Sequence, residues 1–222
     1  MGRRPANEQG DTKQTIQRAA FELFGRYGYD GVSMLTVARA SGITKAALYW
    51  YYDGKEALYT DCMHRLNALF REHVLERMQQ ERDPIKRLML VFSGMGTLLS
   101  DSRVQEGVAG YWLHPSTAEV PEALAAQAQF EQTSARIVAQ AIQEAVDAGQ
   151  LDLQIPVAEM ADAIIATMEA IVLPLRRNTP ASSRKLVGVL AHTFFKAHTR
   201  GPDLARDAIN VAFNPVALAA NA

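Results

Sequence analysis

The sequence predicts an all-α protein, a three-helix helix-turn-helix domain at the N-terminus followed by a larger helical domain. Three observations carry this. Apolar residues recur at helical spacing along nearly the whole chain, and no run alternates with the period of a strand. Helix-start signals are frequent, such as Asp83-Pro84 and Pro156. The 222 residues, 48% of them hydrophobic, suffice for a sizeable core and exclude wholesale disorder.

The elements follow in order. Residues 1–11 read as a flexible basic arm. Thr12 caps a helix to about Tyr27 with the apolar face Ile16, Ala19, Ala20, Leu23 and Phe24. Gly25, Gly28 and Gly31 cluster at its end, where tight or left-handed backbone is needed. Ser33 precedes a short helix, Met34 to Ala40, whose inward residues are Met34, Val37 and Ala38. Ser41-Gly42-Ile43 turns, and Thr44 caps a third helix from Lys45 to about Tyr51. Asp53 caps a long fourth helix to about Gln80. Further helices are expected at 84–100, 121–148, 156–173 and from Ser182 or Ser183 to about Thr199, with a short segment at 103–112. Domain boundaries are expected at 12–55 for the helix-turn-helix domain and 56–200 for the larger helical domain, with a tail over 201–222 that has room for one short helix.

Composition narrows the function. The single thiol, Cys62, excludes an intrachain disulfide and a Cys-rich zinc module, and is expected in a reducing compartment. No secretory leader is read behind the basic start. The apolar stretch 157–175 is broken by Asp162, Glu169 and Pro174, so no membrane span is expected and the expected location is cytoplasmic. Cys62 and His64 are two apart and do not share a helix face, and His192 and His198 are six apart, so neither a metal site, a cofactor nor an enzyme is expected. The net charge of −1 conceals an asymmetry: residues 1–55 hold eight Lys/Arg and five acids, a net +3, which leaves −4 for the remainder.

The informative stretch is Thr12 to Leu58. Two short helices separated by a Gly-containing turn form a helix-turn-helix arrangement. Small Ala46 and Ala47 let the third helix sink into a major groove, where Lys45 donates to guanine or phosphate. In the run Tyr49-Trp50-Tyr51-Tyr52, Leu48 and Tyr52 are read as core, Tyr49 as a base-edge contact, and Trp50 and Tyr51 as phosphate donors. Lys55 stands in the first turn of the fourth helix, where ammonium and free amides point at one anion.

Residues Thr15-Ile16-Gln17-Arg18-Ala19-Ala20-Phe21-Glu22-Leu23-Phe24 with Gly28-Tyr29, the string Ser33 to Tyr52, and Lys55-Glu56-Ala57-Leu58 together resemble the N-terminal domain of TetR-family transcriptional regulators. The resemblance covers roughly 45 residues without a gap. It implies a ligand-responsive, homodimeric regulator, a repressor released by a small apolar effector from a near-palindromic double-stranded DNA operator. It also implies that Ser33 and Thr44 are helix caps touching phosphate, that Leu35, Lys45, Ala46 and Tyr49 face base edges, and that Ala47, Trp50, Tyr51 and Lys55 face the DNA backbone. Leu35 departs from relatives that carry Arg there, which shifts specificity towards Lys45, Tyr49 and DNA shape. Two other readings stay open: an activator of the same family, and a helical apolar-ligand-binding protein without a DNA role.

In the body of the chain, the ligand-pocket candidates are Met89, Phe92, Met95, Tyr111, Trp112, Phe130, Thr133 and Met168, as Met and aromatic side chains line adaptable cavities. The expected dimer interface pairs Met160, Ile164, Met168 and Ile171 with Leu186, Val189, Leu190 and Phe194 from the last long helix.

Overall fold

The computed structural model describes residues 6–105, 107–112, 119–172 and 180–213. Its helices are α1 (Ala6–Tyr27), α2 (Met34–Ala40), α3 (Lys45–Leu48), α4 (Lys55–Phe70), α5 (Glu76–Gln80), α6 (Pro84–Leu98), α7 (Ser102–Gln105), α8 (Pro121–Asp147), α9 (Val157–Val172), α10 (Pro180–His198) and α11 (Pro202–Phe213). A π-helical turn, Arg71–Leu75, joins α4 to α5, and a 3₁₀ turn spans Ala109–Trp112. Among the described residues there is no strand, only one isolated bridge between Leu151 and Thr199.

Several boundaries differ from expectation. Residues 6–11 are helical rather than an arm, because Ala6, Glu8 and Gln9 are good helix formers and outweigh Gly10. The third helix stops at Leu48, and Tyr49–Tyr51 form the turn that follows. The fourth helix is interrupted by the π turn at Arg71–Leu75. Gly94 meets that turn on α6: a Cβ there would lie 2.4 Å from the His73 carbonyl oxygen. Residues 202–213, expected in the tail, form α11, which packs on α10 and α6 and buries Ala208.

The chain divides into two compact units, residues 1–66 with 106–128, and residues 67–105 with 129–222. The expected boundary after residue 55 is therefore displaced, and a later segment returns to the first unit. The reason is a close fit. A Cβ on Gly25 of α1 would lie 2.0 Å from the Gly107 carbonyl oxygen, and one on Gly110 would lie 2.2 Å from that of Phe24. With both side chains absent, Tyr111 reaches the core and its hydroxyl donates to the Phe21 carbonyl at 3.0 Å. Phe21, Phe24, Tyr29, Tyr59 and Tyr111 form one aromatic cluster with neighbouring centroids 5.1–6.3 Å apart. Phe21 replaces Leu23 on the buried face of α1, and Leu23 is only half-buried.

The second unit is built on α6, whose Ile85, Leu88, Met89, Val91, Phe92 and Met95 are buried. Asp83 caps it, accepting from the Ile85 amide at 3.1 Å and from Gln150 Nε2 at 2.9 Å. Phe92 packs against Phe194 and Phe195 of α10, with centroids 5.9 and 5.5 Å away.

Candidate nucleic-acid interface

Two short helices leave many orphan amides, so their caps matter more than their propensity. Ser33 Oγ accepts from the Thr36 amide at 3.1 Å, and Thr44 Oγ1 accepts from the Ala47 amide at 3.1 Å. Gly42, at φ 68°, takes the left-handed turn between them. Met34, Val37, Ala38 and Leu48 point inwards as expected.

The outer face is laid out accordingly. Ser33, Thr44, Lys45 and Ala46 are exposed, as are Leu35 and Tyr49, while Ala47 and Tyr51 are half-buried. Trp50 is 88% exposed, a large apolar area for a monomer to leave in water. Lys45 Nζ lies 5.8 Å from the Tyr49 ring centroid, so cation and ring form one surface. No Asp or Glu occurs between Asp30 and Asp53, which leaves Arg39 and Lys45 without an opposing charge in that stretch.

Beneath this face sits a polar clamp that the sequence reading missed. The Tyr52 hydroxyl donates to Asp61 Oδ2 at 2.6 Å, and Gln17 Nε2 donates to the same oxygen at 2.8 Å. One carboxylate thus ties the end of the α3 turn and α1 to α4. Burial, and then the bond to Asp61, raise the Tyr52 hydroxyl far above the ordinary tyrosine value of 10.0. Tyr52 is core, as read, but polar core. The only sequence signal was the spacing of Tyr52 and Asp61, which says nothing of Gln17.

Lys55 is half-buried, with Nζ 3.9 Å above the Tyr29 ring centroid. The ring fixes the ammonium at the first turn of α4, a partner not foreseen from sequence. Cys62 is buried, and burial pushes its thiol up to about 12, which makes it a structural rather than a reactive thiol.

The other expected sites fare unevenly. Tyr111 is no pocket residue of the second unit; it is taken up by the aromatic core of the first. Thr133 faces outwards, its hydroxyl donating to the Gln129 carbonyl at 2.8 Å. The side chain of Trp112 lies outside the described residues. Phe130 is half-buried against Phe70, centroids 5.8 Å apart, while Met89 and Met95 are plain core of α6. Met160, Ile164, Met168, Leu190 and Phe194 line an open apolar groove of about 230 Å³ with Phe92 at its floor. Leu186 and Val189 are exposed on α10, and Ile171 is buried. Glu169, in the last turn of α9, is pushed up to about 7 by burial and by the charge of Glu131.

Among the described residues no helix is long and apolar enough to cross a membrane, and no group of three potential metal ligands occurs. Residues 16–62 match the family model described as bacterial regulatory proteins, tetR family. The HTH-type transcriptional regulator SrpR of Pseudomonas putida is 28% identical over 112 residues, 49% of this chain and 53% of SrpR, so the match spans about half of that relative. NalD, the secondary repressor of the MexAB-OprM multidrug efflux pump in Pseudomonas aeruginosa, superimposes with a TM-score of 0.67 at 21% identity, covering 86% of this chain and 98% of NalD. AibR in complex with isovaleryl coenzyme A and operator DNA gives 0.63 at 25% identity, covering 80% of this chain and 97% of AibR. SrpR is thus a transcriptional regulator, NalD a repressor and AibR a protein bound to operator DNA.

Proposed function

We propose that this chain, a tetR-family protein by its residues 16–62, is a ligand-responsive repressor that binds a near-palindromic operator as a homodimer and is released by a small molecule. The observation that carries the reading is the acid-free, exposed face of Leu35, Lys45, Tyr49 and Trp50, capped by Ser33 and Thr44 and held on the Tyr52–Asp61–Gln17 clamp. α3 enters a major groove, Tyr49 meets base edges, Lys45 donates to guanine or to phosphate, and Ser33, Thr44, Trp50, Tyr51 and Lys55 meet the sugar-phosphate backbone. Ala46 and Ala47 offer methyl contacts alone.

The groove bounded by Met160, Ile164, Leu190 and Phe194, together with exposed Leu186 and Val189, is the face that pairs with a second copy. Two-fold symmetry then sets reading helices about 34–36 Å apart. α4, which like α8 runs from one unit into the other, is the covalent route by which an effector shifts the DNA-competent population, by no more than its differential affinity for the two states.

The test is selection of bound duplexes from a random pool, followed by a titration of the recovered sequence. A palindromic consensus bound by a dimer supports the reading. Recovery of no consensus, with binding that ignores sequence, overturns it and leaves a helical binding protein.

A further inference from the structure

Apart from the groove, the second unit holds an arrangement that the DNA-binding reading does not use. α6 carries Ser93 and Thr97 at i and i+4, and Ser100 follows at i+7 in the turn at its end, continuing that face. The hydroxyls of Thr97 and Ser100 donate to carbonyls of α6, those of Ser93 and Gly96, at 2.9 and 3.0 Å. Their lone pairs therefore face outwards, and each accepts from an arginine of another helix. Arg77 of α5 lies 3.5 Å from Thr97 Oγ1, and Arg184 of α10 lies 2.8 Å from Ser100 Oγ.

Each guanidinium has five N–H donors, and a hydroxyl uses one of them. Neither Arg77 nor Arg184 has a carboxylate within ion-pair distance among the described residues. Asp101, beside Ser100, accepts from Arg103 at 2.6 Å and from His73 at 2.9 Å, Glu72 pairs with Arg103 at 3.3 Å, and Glu76 and Glu81, the acids nearest Arg77 in sequence, make no ion pair with it. Two further hydroxyls, on Ser93 and on Ser183 beside Arg184, are fully buried and make no hydrogen bond. Gly96, one residue before Thr97, has nothing within 4 Å of where a Cβ would stand. Two forks without an acid, in a unit that also holds buried hydroxyls without a partner, are the recognition chemistry of an anion.

We propose that the face of α6 flanked by Arg77 and Arg184 binds the anionic group, a carboxylate or phosphate, of the small-molecule effector. This rests on the reading of the chain as effector-responsive and adds the effector's charge. The two arginines hold the anion by paired N–H donation, which a neutral ligand would not draw on as strongly, and the Ser93 and Ser183 hydroxyls are further unpartnered donors in the same unit.

The experiment is calorimetric titration of the full-length protein, without DNA, with decanoate and inorganic pyrophosphate, against decanol and decyltrimethylammonium at matched ionic strength. The expected result is saturable binding of at least one anionic probe and none of the other two, with affinity falling about tenfold in Arg77→Gln and in Arg184→Gln. Arg184→Lys, which keeps charge but not the fork, is expected to fall between wild type and Arg184→Gln. Arg184 is exposed, so its variants report binding even where Arg77→Gln fails to fold. Equal binding of neutral and cationic probes, or an anion affinity unchanged in Arg184→Gln, overturns the proposal. Operator binding without probe is measured separately on the same samples. Its presence without any anion response defeats this inference alone, and its absence defeats the regulatory reading alone.

Discussion

Tyr52→Phe isolates the clamp beneath the DNA-facing surface. The substitution removes one oxygen and leaves the ring in place. What is lost is a 2.6 Å bond to a carboxylate, a class worth about 1.5–3 kcal/mol. Asp61 is only half-buried and keeps its bond from Gln17 at 2.8 Å, so the expected cost lies at the low end, about 1–2 kcal/mol. For a chain of this size that lowers Tm by about 2–8 °C. The pH dependence is more diagnostic. The Tyr52 hydroxyl is held protonated well above the ordinary value of 10.0, whereas in the unfolded chain it ionises near that value. Its stabilisation is therefore complete below pH 10 and is lost as pH rises beyond it, at about 1.4 kcal/mol per pH unit. Tyr59 and Cys62, both pushed up by burial to about 12, add their own slopes to wild type and variant alike and cancel in the difference. Urea unfolding from pH 8 to 11.5 should show a gap between the two proteins that is constant to pH 10 and closes within about one further unit. A gap that persists to pH 11.5 would refute the assignment of the hydroxyl as proton donor to Asp61.

Trp50→Ala should leave Tm within about 2 °C, since an 88% exposed side chain adds little to folding, yet weaken DNA binding about tenfold per half-site; fluorescence anisotropy with unchanged affinity would remove Trp50 from the interface. Tyr49→Ala should lose sequence preference more than total affinity, and an unaltered ranking of operator variants would count against it. Gly110→Ala places a Cβ 2.2 Å from the Phe24 carbonyl and should cost about 1–3 kcal/mol or more of stability; an unchanged melting curve would deny the close approach of that turn to α1.

What was legible in the sequence was what is local. The caps Ser33 and Thr44 act on amides three residues away, and the turn at Gly42 lies between them, so one short string encodes the whole motif. Tyr111 was misread because an aromatic at helical spacing announces burial without saying in which core. Its partner is the Phe21 carbonyl, 90 residues earlier. Gly25 was read as a turn glycine, but its missing side chain serves close packing against Gly107 within a helix. The π turn at Arg71–Leu75 escaped for another reason. Leu69 before it, Val74 and Leu75 within it and Met78 after it are all buried, and periodicity averaged over a window cannot detect one wider turn. The Asp61 clamp is a three-body contact between α1, the turn after α3, and α4, which no pairwise spacing reveals.

Charge supplies the last test. A net charge of −1 looks unsuited to a polyanion, but only the side chains that meet phosphate set the electrostatics of binding. Each protomer offers Arg39, Lys45 and Lys55 within or beside the helix-turn-helix. Six cations per dimer, at about 0.9 counterion per phosphate contact, give a slope of about −5 in log K against log salt. Lys55 is expected among them although its Nζ rests on the Tyr29 ring, because that contact leaves the ammonium charge in place and fixes it at the first turn of α4. Lys55→Ala should therefore weaken all sequences alike and reduce the slope by about 1 per protomer. If the slope stays near −5 in Lys55→Ala while affinity falls, the lysine acts through Tyr29 on the fold and meets no phosphate. If the wild-type slope is instead near −10, residues before α1, with Arg3 and Arg4 foremost, contribute as much as the helix-turn-helix itself.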